Sequence, residues 1–363
     1  MEKFDYMDKY GYEQLSFFCD KSAGLKAITC IHNTTLGPAL GGTRVWNYSN
    51  EEEAAMDVLR LARGMTYKSA LAGLALGGGK SVVIGDVKTL RRDPIRREAF
   101  WRAFGRYLEG MNGRYITAED VGTSTQDMVY VHMETSNVVG LPGRSGDPSP
   151  FTALGVYKSM LACCYAVYGN SSVEGKTVAV QGAGSVGYEL CRLLTEGGAN
   201  VYVTDIDPAR VKLCVDDLGV KAVEVNDIYT VDADIYSPNA LGGTLNEDVI
   251  PVLKAKIVCG GANNQFGSST KHAPMIQERG ILYAPDYLAN AGGVINVFYE
   301  LAEGGYNKEA SLRDVDRIYN RMLDVLRISE ETGKTTHQIA NNIAEERIAA
   351  VRSIKSILTS RKF

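Results

Sequence analysis

The feature that most constrains this chain is a strand, a glycine turn and a helix in immediate succession. T-V-A-V-Q at 177–181 has the apolar, β-branched character of a buried strand, G-A-G-S-V-G follows at 182–187, and the helical pattern around Y-E-L-C-R-L-L begins at once. In this setting the glycines have separate duties. Gly182 permits a tight turn, Gly184 lets backbone come close to a pyrophosphate, and Gly187 lets the helix pack on the strand. The stretch Gly182, Ala183, Gly184, Ser185, Val186, Gly187 therefore forms an anion cradle at a helix N-terminus, where unpaired N–H groups and the helix dipole favour negative charge.

A second strand, V-Y-V-T-D, ends at Asp205, with Ile206 next to it. A carboxylate at this spacing accepts hydrogen bonds from an adenine ribose and repels a 2′-phosphate, so the expected cofactor is NAD rather than NADP. Asp207-Pro208 supplies the N-cap and first-turn proline of the next helix. Further strands are expected at D-A-D-I-Y-S, A-K-I-V-C-G and G-I-L-Y-A. Short apolar strands alternating with helical patterns predict a parallel sheet with crossover helices, a doubly wound Rossmann-type domain.

With 363 residues the chain is long enough for two domains. The Pro/Gly/Ser-rich stretch L-P-G-R-S-G-D-P-S-P marks a boundary. The expected division is a mixed α/β domain over 1–140, completed by a C-terminal helix over 334–363, and a Rossmann domain over 141–333. That C-terminal segment carries Ile339, Ile343, Ile354 and Leu358 at helical spacing and ends in a short basic tail.

A net charge of −4 with dispersed Lys and Arg leaves no electrostatic footprint for nucleic acid. The charged N-terminus M-E-K-F-D-Y-M-D-K-Y is not a signal peptide, and no apolar run is long enough to span a bilayer. The seven scattered cysteines form neither a disulfide framework nor a metal motif, and His32, His132, His272 and His337 lack ligand spacing. A cytoplasmic protein with reduced thiols and no metal is expected.

The first domain holds candidate strands at A-I-T-C-I-H and S-V-V-I-G, and a strong helix opened by a Ser49/Glu52 capping pattern. On that helix Val58, Leu61, Met65 and Lys68 recur in phase, which sets Lys68 on the apolar face; the ordinary alternative is a lysine that snorkels to solvent. Lys80 follows three glycines in L-A-L-G-G-G-K-S. A phosphate loop would need a glycine where Leu74 stands and a helix after Ser81, and V-V-I-G reads as a strand, so a nucleotide triphosphatase is excluded. A lysine on a glycine-lined apolar segment is poorly hydrated, which disfavours its charged form. Together with the acidic pair Glu119-Asp120 in Y-I-T-A-E-D-V-G, Lys68 and Lys80 offer a cation for an α-carboxylate and a base with a proton relay at an α-carbon.

Taken together these segments resemble the glutamate/leucine/phenylalanine/valine dehydrogenase family, its leucine-acting members above all. The resemblance runs through T-T-L-G-P-A-L-G-G-T-R at 34–44, R-L-A-R-G-M-T-Y-K at 60–68, G-G-G-K at 77–80 and N-G-R-Y-I-T-A-E-D-V-G at 112–122. It continues through G-A-G-S-V-G, the A-L-G-G turn after Pro238, G-G-A-N-N-Q at 260–265 and A-P-D-Y-L-A-N-A-G-G-V-I-N at 284–296. It implies two domains separated by a cleft, one binding substrate and mediating oligomerisation, the other binding NAD. It implies that Lys68 binds the substrate carboxylate, that Lys80 is the catalytic lysine with a lowered pKa, and that Asp120 assists proton transfer. Thr152 and Asn263 are expected near the nicotinamide, Asn290 beside the substrate, and Ala240 and Ala262 along the cofactor cleft. A homo-oligomer is implied, commonly an octamer. Asn239 departs from the pattern, since relatives commonly have cysteine there.

By the same resemblance Leu40, Gly42, Ala118, Val294 and Val297 line the substrate site. Glutamate-specific members carry lysine in place of Leu40, and an apolar residue there would leave a distal carboxylate buried without a partner. The implied activity is therefore reversible oxidative deamination of leucine, valine and isoleucine to 2-oxo acids and ammonia. Phenylalanine-acting members tend to have glycine in place of Ala118 and form the alternative. One methyl group in such a pocket discriminates by only about 1–3 kcal/mol. A catalytically silent NAD-binding regulator would have lost Lys68, Lys80 or Asp120, and all three are present.

Overall fold

The computed structural model of the protein describes residues 2–355 and divides the chain into two compact units. Unit 1 holds the residues up to Asp147, Val297–Asn307 and those from Ala344 on; unit 2 holds Pro148–Asn296 and Lys308–Ile343.

Unit 1 is built on a five-stranded sheet ordered β1-β2-β4-β3-β5, with β1 Gln14–Asp20, β2 Leu25–Asn33, β3 Ala39–Trp46, β4 Gly77–Ile84 and β5 Tyr115–Glu119. Strand β2 is antiparallel to β1 and β4, whereas β3 is parallel to β4 and β5. Side chains alternate between the two faces. Ala27, Ala39, Val45, Val83 and Tyr115 meet Phe100, Trp101, Phe104, Met128 and Val131 on one face. Ile28, Cys30 and Val82 meet Ala54, Val58, Leu59 and Ala62 on the other. These last four belong to helix α2, Glu51–Leu71, which follows α1, Lys3–Tyr10.

Helix α2 starts one residue later than its capping pattern predicts. Asn50 is the N-cap, its side chain accepting the Glu53 N–H, while Ser49 N–H donates to Glu53 Oε2 at 2.9 Å. At its C-terminal end Arg347 donates to Ala70 O at 2.7 Å and, just beyond the helix, to Leu74 O at 2.8 Å. The three glycines before Lys80, expected to lie ahead of the strand, are part of β4. A Cβ on Gly78 would lie 2.0 Å from the backbone nitrogen of Thr66, so glycine is what lets α2 lie directly on the sheet.

Unit 2 carries six parallel strands ordered β11-β10-β9-β6-β7-β8: β6 Thr177–Gln181, β7 Asn200–Thr204, β8 Lys221–Ala222, β9 Ile235–Pro238, β10 Ile257–Val258 and β11 Leu282–Tyr283. The order reverses between β6 and β9, the switch point at which doubly wound sheets bind ligands.

The division of the chain departs from the expected 140/141 and 333/334 boundaries. The break falls after Asp147, and 297–307 joins unit 1 because Glu300 Oε1 accepts the N–H groups of Gly140 at 2.9 Å and Ser145 at 3.0 Å. Residues 334–343 stay in unit 2, where Thr336 Oγ1 donates to Tyr283 O and Tyr287 Oη to Asn341 Oδ1, each at 2.7 Å. Within the C-terminal helix Ile339 is buried but Ile354 is exposed; Leu358 and the basic tail lie outside the described residues. No helix among the described residues is long and apolar enough to cross a membrane, and all seven cysteines are unpaired.

Candidate active site

The alternation of the unit 1 sheet decides which side chains share a surface. Leu40, Gly42 and Arg44 of β3, Lys80 of β4 and Ala118 of β5 all fall on the face covered by α2, and Leu40 pairs with Gly78 and Ile116, Gly42 with Ala118. Asp120 follows directly after β5. Gly42 makes room for it: a Cβ there would lie 2.8 Å from Asp120 Cβ. Gly41 likewise lets β3 and β4 meet, since its Cβ would fall 1.8 Å from Gly79 O.

Lys80 is 5% exposed, and its Nζ lies 3.1 Å from Asp120 Oδ2. Burial pushes the Lys80 ammonium below its usual pKa, Asp120 opposes that shift, and Arg44 adds to it. Burial alone would raise the Asp120 carboxyl, but Lys80 and Arg44 together hold it below the usual range. Both shifts run the same way for proton transfer: the Asp120 carboxyl is held toward its ionised form and the Lys80 ammonium is moved toward its neutral one. Leu40 and Ala118, 2% and 8% exposed, are apolar neighbours on the same face. Lys68 is half-buried on α2, two residues beyond the Thr66 that rests on Gly78.

Reading residues singly missed Arg44, Asp57 and Tyr48. Arg44 Nε donates to Asp120 Oδ2 at 3.2 Å and its Nη1 to Asp57 Oδ2 at 3.2 Å, while Tyr48 Oη donates to Asp57 Oδ2 at 2.6 Å. Arg44 lay within the quoted T-R pair; its place on the alternating face next to Gly42 was the available signal.

In unit 2 the cofactor candidates follow the C-terminal ends of four adjacent strands, β10, β9, β6 and β7, except Thr152, which lies in the first turn of helix Ser149–Tyr168. Gly182 has φ +99°, and its Cβ would lie 2.8 Å from Ala240 N. A Cβ on Gly187 would fall 1.9 Å from Gly182 O, so helix Ser185–Glu196 must have glycine to sit this close. Gly184 caps that helix without a side-chain hydrogen bond and has ordinary φ, with no backbone within 4 Å of its Cβ position. What glycine provides there is room clear of backbone at the helix N-terminus, with only the Arg210 guanidinium 3.7 Å away, which suits a pyrophosphate. Asp205 follows β7; its Oδ2 accepts the Ala183 N–H at 2.7 Å and its Oδ1 the Asp207 N–H at 2.9 Å. Ile206 and Leu241 are large aliphatic side chains left 87% and 68% exposed, apolar surface of the kind an adenine ring covers.

Ala240 is exposed after β9 and Ala262 buried after β10. Asn290 Nδ2 donates to Gly261 O at 3.1 Å and Asn263 Oδ1 at 2.9 Å. Asn290 Oδ1 is buried without a hydrogen-bond partner among the described residues. Thr152 Oγ1 donates to Pro148 O at 3.0 Å and packs against Gly293, whose Cβ would lie 2.5 Å from it. Val294 belongs to unit 2 with these residues, but Val297 falls in unit 1, with Leu40 and Ala118. The residues of unit 2 thus fit a dinucleotide.

Residues 14–137 match the model of the Glu/Leu/Phe/Val dehydrogenase dimerisation domain, and 210–355 that of Glutamate/Leucine/Phenylalanine/Valine dehydrogenase. The leucine dehydrogenase of Bacillus subtilis (strain 168) is 56% identical over 98% of this chain and 96% of its own length. The chain belongs to the glutamate/leucine/phenylalanine/valine dehydrogenase family. It is an amino-acid dehydrogenase, and a nicotinamide cofactor is implied by the family together with the unit 2 sheet. The family's breadth shows in two further relatives. A phenylalanine dehydrogenase from Caldalkalibacillus thermarum (strain TA2.A1) is 44% identical over 93% of this chain and 91% of its own. The crystal structure of L-tryptophan dehydrogenase from Nostoc punctiforme superimposes with a TM-score of 0.81 at 40% identity, covering 96% of this chain and 99% of that one.

Proposed function

We propose that the protein catalyses NAD-dependent, reversible oxidative deamination of leucine, valine and isoleucine to their 2-oxo acids and ammonia. The observation that carries this reading is the buried Lys80–Asp120 pair on the same sheet face as Leu40 and Ala118. Identities of 52–56% to leucine dehydrogenases, against 42–44% to tryptophan and phenylalanine dehydrogenases, support the branched-chain substrates.

The nicotinamide ring, when bound, supplies the hydride acceptor that turns the substrate amine into an iminium. Lys68 holds the substrate α-carboxylate. Neutral Lys80 takes the proton of the water that adds to the iminium carbon, forming a carbinolamine. The proton taken up by Lys80 passes by way of the Asp120 carboxylate to the carbinolamine nitrogen, and Lys80, neutral again, takes the hydroxyl proton as the C–N bond breaks and ammonia leaves the 2-oxo acid. Leu40 and Ala118 offer only apolar contact, which suits an aliphatic side chain and leaves a glutamate carboxylate without a partner. Asn290 Oδ1 accepts from a ligand donor. Gly182–Gly187 would hold the pyrophosphate and Asp205 the adenine ribose, with Ala240 and Ala262 lining the cofactor cleft and Thr152 and Asn263 toward the nicotinamide. A homo-oligomer, octameric by the resemblance, accords with the match to a dimerisation domain.

NADH formation with L-leucine, L-valine, L-isoleucine, L-phenylalanine, L-tryptophan and L-glutamate tests the proposal. Branched-chain substrates lead in kcat/KM and glutamate is inert. Phenylalanine or tryptophan in first place overturns the substrate; turnover of none overturns the reaction.

A further inference from the structure

The proposed chemistry requires Lys80 to lose its proton while bonded to a carboxylate, and an isolated ion pair resists that. Asp120 attracts the proton on Lys80, so the closer the pair, the worse the base. The structure contains a third member. Arg44 Nε reaches the same Oδ2 atom of Asp120 that Lys80 Nζ reaches, at 3.2 and 3.1 Å. The other arm of Arg44 is held by Asp57 at 3.2 Å, and Tyr48 fixes Asp57 in turn at 2.6 Å.

We propose that Arg44 is a positioning residue that holds the Asp120 carboxylate in its ionised form and frees Lys80 to serve as the base. This rests on Lys80 acting as proposed above. A guanidinium keeps its charge at all working pH values, so Asp120 retains one permanent cationic partner when Lys80 becomes neutral. Its fork lets it grip Asp120 and Asp57 at once, which a single ammonium does less well.

The ionised groups acting on Lys80 are Asp120 from the loop after β5, Arg44 from β3 and Asp57 from α2. Cys30, its cross-strand neighbour on β2, and Tyr115 of β5 are kept protonated by burial. Arg44 and Asp57 have opposite effects on Lys80: the first disfavours its proton and the second favours it.

The experiment is the pH profile of kcat/KM for NADH formation from L-leucine at saturating NAD, for wild type, Arg44→Gln, Arg44→Lys, Asp57→Asn and Lys80→Ala. Arg44→Gln is expected to move the acidic limb upward by about one pH unit, a loss of about tenfold near neutrality that shrinks as pH rises. Arg44→Lys recovers part of the shift, and Asp57→Asn moves the limb downward. A uniform loss at every pH in Arg44→Gln, or an unmoved limb, overturns the inference. If Arg44→Gln does not fold, Asp57→Asn decides alone: any result but a downward shift overturns it. Lys80→Ala separates the two levels: full activity there removes the proposed role of Lys80 and this inference with it, whereas failure of the Arg44 and Asp57 shifts removes only the inference.

Discussion

Gly78→Ala adds one methyl group at the place where α2 rests on β4. The new Cβ would lie 2.0 Å from Thr66 N, 2.3 Å from Thr66 Oγ1 and 2.5 Å from Thr66 Cα, so backbone, not a flexible side-chain end, stands in the way. Ordinary contact begins near 3.4 Å, which requires Thr66 to retreat by roughly 1.4 Å. Overpacking of this kind costs about 1–3 kcal/mol, or roughly 2–12 °C in Tm. Lys68 rides on the same helix, two residues on, and a displacement of about 1 Å at a substrate-positioning group costs roughly 100-fold in rate. Scanning calorimetry and steady-state kinetics with L-leucine should therefore both register the change, with kcat/KM falling about 100-fold. Gly64→Ala is the control. It lies in the same helix with nothing within 4 Å of its Cβ position, and should stabilise by about 0.5–1 kcal/mol while leaving kinetics alone. Wild-type Tm and kcat/KM in Gly78→Ala would refute the close seating of α2 as the device that places Lys68.

Other changes address separate parts of the account. Leu40→Lys puts an unpaired cation at a site 2% exposed; kcat/KM for L-leucine should fall about 100-fold, since burying such a charge costs about 3 kcal/mol or more, and L-glutamate turnover should appear. Asp205→Ala removes the acceptor of the Ala183 and Asp207 N–H groups, so KM for NAD should rise about tenfold or more while that for NADP changes less. Arg347→Ala removes the guanidinium donor from Leu74 O and from Ala70 O, which keeps only the Gly73 N–H at 3.2 Å, and chemical denaturation should show a loss of about 1–3 kcal/mol.

What could be read from the sequence follows the range of the interactions. The strand–turn–helix at 177–196 was legible because its signals are local: β-branched residues, three glycines at fixed spacing and an amphipathic helix. Strands β1, β3, β5 and β8 were not assigned as strands. β3 and the glycine half of β4 carry A-L-G-G and G-G-G, poor strand formers chosen for close approach of β3 to β4 and of α2 to the sheet. Lys80 and Asp120 stood out as charges within apolar stretches, but the sequence separation of 76 residues between Arg44 and Asp120 hid their bond. The tie from Glu300 to the 140–145 loop was hidden for the same reason, and with it the assignment of Val297 to unit 1.

In the proposed reaction the buried Lys80, its pKa lowered by desolvation, performs the proton chemistry. Lys80→Ala should keep its cofactor affinity, read by quenching of protein fluorescence on NADH titration, and lose about 10²- to 10⁴-fold in kcat for L-leucine. Turnover within tenfold of wild type, with cofactor binding intact, would contradict it.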